Sequence, residues 1–219
     1  RNALKTEDAG TQSVAIGYSA SEKQDAGSGA SSNTSVGTYA GRQNVTGTNN
    51  TYIGHKAGTG VATNSNSSNT AVGSEAMLAI LTGGSNVAVG MDAGKAITTD
   101  SNNTHVGYQA GMDSNHSSAT AVGFQAGKAA TATGITTVGY TAGTANTGGA
   151  YGTFVGYEAG LSNISGDGCT AIGYQANRLS TASKNTAVGA LCLDEVTTGE
   201  KNTAVGYRAL GSADGDEDN

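Results

Sequence analysis

From Asn202 the chain reads NTAVGYRAL, and from Asn185 it reads NTAVGALCL. The same phrase returns upstream as CTAIGYQAN at Cys169, GTFVGYEAG at Gly152, ITTVGYTAG at Ile135 and ATAVGFQAG at Ala119. Earlier copies are NTHVGYQAG at Asn103, NVAVGMDAG at Asn86, NTAVGSEAM at Asn69, NTYIGHKAG at Asn50, NTSVGTYAG at Asn33 and SVAIGYSAS at Ser13. A fixed internal period of this kind restricts the chain to a repetitive, stacked architecture.

The copies align on a central Gly, from Gly17 to Gly206, at intervals of 16 or 17 residues, except for the first and third, which are 20 and 19. Val or Ile always precedes that Gly, and Thr or Val stands two residues earlier. Helical heptads would need Leu or Ile at spacings of three and four, and those are missing. Alternation of β-branched residues is instead the period-two signal of a short strand. Ala stands three residues after each Gly, with Cys192 the one exception, so this column reads as a narrow interior site. The invariant Gly itself implies a positive φ or the close approach of another strand. Each unit is then a strand, a Gly bend, a second short strand and a turn rich in Gly, Ser, Thr and Asn.

These features predict an all-β fold, a parallel β-solenoid (β-roll) of about twelve coils over residues 13–210. An N-terminal linker (1–12) precedes it and an acidic tail (211–219) follows. The expected structural ladder is Ile16, Val36, Ile53, Val72, Val89, Val106, Val122, Val138, Val155, Ile172, Val188 and Val205, running buried through the coils. With 35 Gly, no Trp and an apolar share made mostly of Ala and Val, a coil offers its interior few methylenes. At roughly 0.8 kcal/mol per buried CH₂ that falls short of the cost of ordering the backbone. Association is therefore expected, with a homotrimeric rod as the economical solution.

SVAIGYSA at Ser13 is similar to the head repeats of trimeric autotransporter adhesins, which are trimers of left-handed parallel β-rolls. NTAVGYRAL, with its TTGEKN linker, resembles repeats of phage tail fibres. The resemblance spans nearly the whole repeat region. It implies a fibre segment that contacts a host surface through a glycan or protein receptor, placed on a virion or on a cell surface. A bacterial surface adhesin is the alternative. An ice-binding solenoid is a third reading, since Thr recurs three residues before the Gly. The parity that Thr shares with Val predicts that this rank points inward, against ice binding.

Other functions find little support. A net charge of −6 disfavours nucleic acid and anionic membranes as partners, and no apolar run is long enough to span a bilayer. The chain opens on Arg1 rather than Met, as expected of a processed piece. No phosphate loop, Ser–His–Asp set or paired carboxylates recur, so neither an enzyme nor a cofactor is expected. His55, His105 and His116 lack metal spacing; His55 and His105 read as surface positions, or as ligands tripled on a trimer axis. The acidic DGDEDN at Asp214 reads as a solvated tail rather than a calcium site. Cys169 and Cys192 occupy different places in the repeat, so no disulfide is expected.

Candidate binding residues lie where the period lengthens, because insertions in a solenoid emerge as surface loops. These are Ser21, Glu22, Lys23, Gln24 and Asp25 in one loop and Asn64, Ser65 and Asn66 in another. The apolar run at 77–81 reads as an inter-chain contact or an exposed patch. Aromatic residues follow the Gly at Tyr18, Tyr108, Phe124, Tyr140, Tyr157, Tyr174 and Tyr207. Their expected role is to cover the ladder, each ring packing on its neighbours; stacking on sugar rings is the alternative.

Overall fold

The computed structural model describes residues 3–5, 12–25, 27, 29–61 and 64–211. The acidic stretch from Asp214 and most of the expected linker lie outside the described residues. The chain is an all-β parallel solenoid without helix among the described residues, and its twelve strands bound about eleven coils. It divides into two compact units, Arg1–Ser117 and Ser118–Asn219. The first holds β1 (Val14–Ile16), β2 (Thr34–Val36), β3 (Thr51–Ile53), β4 (Thr70–Val72), β5 (Val87–Val89) and β6 (Thr104–Val106). The second holds β7 (Thr120–Val122), β8 (Thr136–Val138), β9 (Thr153–Val155), β10 (Thr170–Ile172), β11 (Thr186–Val188) and β12 (Thr203–Val205).

Within each unit, successive strands pair in parallel and in register, so Val36 lies on Ile53 and Ile172 on Val188. The ladder therefore exists, but on the opposite face from the one expected. In the three-residue strands the middle residue turns inward, leaving the Thr and the Val or Ile half-buried or exposed on the outer face. Ile16 keeps 61% of its surface exposed and Val205 70%. The reason is room: the coil interior takes Ala71, Ala88, Ala121, Ala171 or Ala187 at this point. Where a larger side chain enters, the backbone four residues past the Gly makes space. A Cβ on Gly58 would stand 2.3 Å from the Tyr52 ring, and one on Gly160 2.2 Å from the Phe154 ring. The converse also occurs, since Met77 and Leu193 fill the interior of coils whose strands carry Ala71 and Ala187.

Both suspected demands on the central Gly hold at once. Gly139 has φ +135° and its Cβ would lie 2.3 Å from the carbonyl oxygen of Gly156, on the next coil. The Ala column is fully buried at Ala40, Ala57, Ala142 and Ala176, and Cys192 shares that burial. No second strand follows the Gly among the described residues. The segment there is a run of turns whose N–H groups still reach adjacent coils, as from Lys56 to Thr38 and from Gly58 to Ala76.

A column not foreseen as interior completes each coil of the first unit. Asn33, Asn50, Asn69, Asn86 and Asn103 are all buried. The Oδ1 of Asn33 accepts the Asn50 N–H at 2.8 Å, and that of Asn69 accepts the Asn86 N–H at 3.0 Å. The Nδ2 of Asn33, Asn50, Asn69 and Asn86 turns to a carbonyl inside the coil, as to Gly47 (2.7 Å) or Gly83 (2.9 Å). Buried amides satisfied in this way stitch coil to coil where apolar contacts are few.

Candidate functional site

The residue after the central Gly stands on the surface, and the stacking of coils brings successive copies together. In the second unit Phe124 and Tyr140 stack at 5.1 Å with planes 6° apart, and Tyr140 and Tyr157 at 4.9 Å and 6°. Tyr157 and Tyr174 continue the column at 5.3 Å and 15°. The spacing is that of parallel strands, so the ladder imposes it on the rings. Ring-on-ring packing is thus observed as expected, yet Tyr140, Tyr157 and Tyr174 remain 43–50% exposed. The first unit has no such column, because Thr38, His55, Ser74 and Met91 occupy the position. There Tyr18 meets Tyr39 edge-on at 5.5 Å, and the Arg42 guanidinium lies 5.0 Å over the Tyr39 ring.

In most coils the following residue is polar and in left-handed backbone conformation, as at Lys56, Glu75, Asp92 and Gln109 in the first unit and at Gln125, Glu158, Gln175 and Arg208 in the second. Lys95 bonds Glu75 at 2.7 Å and Asp92 at 3.0 Å, and Lys56 approaches Glu75 at 3.4 Å. Hydrogen bonding to Lys95 holds the Glu75 carboxyl below the usual range, and the same bond raises Lys95. Gln175 donates to Glu158 at 2.7 Å. The Glu158 charge pushes the Tyr157 phenol up.

The expected binding loops divide. Glu22, Lys23, Asp25 and Ser65 lie at the surface or half-buried, Glu22 paired to Arg42 at 2.8 Å. Ser21, Gln24, Asn64 and Asn66 turn into the coils instead. Ser21 donates to Ser35 at 2.8 Å, and Gln24 donates to Ser31 at 2.7 Å while accepting from Asn33 at 3.0 Å. Asn64 donates to the Ile80 carbonyl at 3.2 Å, and Asn66 accepts from the Tyr52 hydroxyl and from Asn69. An inserted residue that enters the interior needs a partner there, and each of these side chains has at least one on the coil wall or a neighbouring side chain. The apolar run at 77–81 is likewise interior, with Met77 and Ile80 fully buried in their own coils.

His55 is exposed as expected, whereas His105 is buried and lies at 6.4 Å, edge-on, from the buried His116 ring. Burial, with a smaller contribution from His116, lowers the His105 pKa to about 4. Cys169 and Cys192 are unpaired, and burial raises both thiols. Among the described residues no three His, Cys, Asp or Glu side chains converge on a metal site, and no helix is long and apolar enough to cross a membrane. Compared with known proteins, the chain matches no family model, no curated protein and no solved structure.

Proposed function

We propose that this chain is a structural and adhesive segment of a homotrimeric fibre, of the phage tail-fibre kind, that contacts a host surface. The observation that carries the reading is the outer face of the parallel ladder. Every strand presents a β-branched Val or Ile there, beside Thr in all but β1 and β5, and most strands turn only an Ala inward. Burying such a side chain contributes about 1.5–3 kcal/mol when complete, so a face repeated coil after coil is a strong drive to associate. Threefold closure covers that face on every copy with one repeated contact. A trimeric adhesin of a bacterial surface shares this architecture and is the alternative host for the segment.

The ice-binding reading gains one specific observation. The Thr column faces outward beside the Val column, not inward as its parity with Val suggested. The two readings make opposite use of the same face, since a trimer covers it and ice binding requires it bare. Sedimentation at falling concentration, read alongside thermal hysteresis, separates them. A trimer without hysteresis is expected. Val138→Glu, on the outer face, should yield monomers that retain the coil. A folded wild-type monomer with hysteresis overturns the fibre.

A further inference from the structure

The aromatic column of the second unit is interrupted once. Phe124, Tyr140, Tyr157 and Tyr174 follow one another on consecutive coils, the next coil carries Ala190, and the coil after that carries Tyr207. The register continues through the break. β11 pairs with β12 residue for residue, and the Arg208 N–H donates to the Ala190 carbonyl at 2.9 Å. The gap is therefore one ring deep, with roughly 10 Å, two rungs of a parallel sheet, between its floor and its roof. Tyr174 is 50% exposed and Tyr207 72%, so both aromatic residues bordering the gap are open to solvent. In the first unit Thr38, His55, Ser74 and Met91 separate Tyr18 from Tyr108, and at Thr38, between Tyr18 and the His55 imidazole, Tyr39 already packs edge-on against Tyr18 at 5.5 Å.

We infer that the missing rung above Ala190, between Tyr174 and Tyr207, is a subsite for a single pyranose ring. Two aromatic contacts of about 5 Å each, the spacing the column already keeps, account for the depth. A sugar chair carries C–H groups on both faces and hydroxyls around its edge. That matches a slot with apolar floor and roof and edges open to water. A flat aromatic ring is thinner than a chair and has no hydroxyl edge to gain from the solvent side. Arg208, next in the chain to Tyr207, stands exposed on the coil that bounds the slot on one side. The site rests on the adhesive reading above and specifies its ligand class. Repetition on three chains would multiply a weak single contact into useful avidity.

The test uses the whole chain with ¹³C-labelled Tyr rings and three probes: methyl β-D-glucopyranoside, methyl β-D-galactopyranoside and methyl N-acetyl-β-D-glucosaminide. At least one should shift the Tyr174 and Tyr207 ring signals. Ala190→Tyr, which fills the gap with the residue commonest in this column, should weaken that probe at least tenfold without lowering the melting temperature. Tyr174→Ala should weaken it comparably, while Tyr18→Ala leaves it unchanged. If none of the three moves these signals, or if Ala190→Tyr binds as the wild type does, the subsite is wrong. p-Cresol shifting the same rings in place of the glycosides overturns it in favour of an aromatic side chain as occupant. Sedimentation on the same samples keeps the two ideas apart, because a trimer blind to glycosides retains the fibre and loses only the subsite.

Discussion

Asn69 offers the sharpest test of what holds coil to coil. Its Oδ1 accepts from the Asn86 backbone N–H at 3.0 Å and from Asn86 Nδ2 at 3.1 Å. Its Nδ2 donates to Asn66 Oδ1 at 3.1 Å and to the Gly83 carbonyl at 2.9 Å. Asn69→Ala removes all four bonds from a residue with no exposed surface. Two of the partners keep other bonds, since Asn86 Nδ2 still reaches the Asp100 carbonyl and Asn66 Oδ1 still accepts from Tyr52. The Asn86 N–H and the Gly83 carbonyl lose the bond with no replacement in reach. Each buried orphan costs about 1–3 kcal/mol, so with two of them the variant should lose roughly 2–6 kcal/mol. For a unit near a hundred residues that lowers the melting temperature by roughly 10 °C or more. Urea denaturation followed by circular dichroism measures the loss, and amide exchange at Asn86 should accelerate with it. A loss below about 0.5 kcal/mol with unchanged Asn86 exchange would show that water replaces the side chain, and that the Asn column is only a turn.

Ala142→Leu should destabilise the second unit by about 1–3 kcal/mol in thermal melts, because the site is fully buried beside the Phe154 cluster. Phe154→Ala should cost more, about 3–5 kcal/mol in urea, since it empties the one aromatic side chain of that cluster. Acidification should weaken the first unit. The folded pKa of His105 is about 4 against an ordinary value of 6.5, so the unfolded chain binds the proton first. Stability present above pH 6.5 is then lost as pH falls toward 4, by on the order of 3 kcal/mol. His105→Phe should flatten that slope in denaturation series across this window, and an unchanged slope would place the titration elsewhere.

The repeat made the coil, the parallel register, the Gly contact and the Ala interior readable. It did not tell which strand face turns inward. Period-two alternation places Thr and Val together and Ala opposite, but assigning the β-branched side to the interior assumed a core with room for it. The narrow coil reverses that choice. The same narrowness hid the interior roles of Gln24, Asn64, Asn66 and His105, because polar character marks the surface only where a core can be filled with hydrocarbon. A signal for the Asn column did exist: Asn stands four residues before the Gly at Asn33, Asn50, Asn69, Asn86, Asn103, Asn185 and Asn202. Recurrence that strict exceeds what a turn requires. The aromatic stack was legible as a column, but the gap at Ala190 gained meaning only once the register on either side of it was known.

Because each ladder contact joins residues only 16 to 20 apart, as between Thr131 and Thr147 or between Asn33 and Ser13, contact order stays low however many coils are added. Closing the first coil carries the entropic cost of a loop without a template. Every later coil condenses on a finished edge, so folding within a unit should spread outward from a nucleus, and an emerging chain could add coils at the pace of synthesis. Length then becomes nearly neutral to folding speed. A segment of this type can be lengthened by whole coils without redesigning what is already folded.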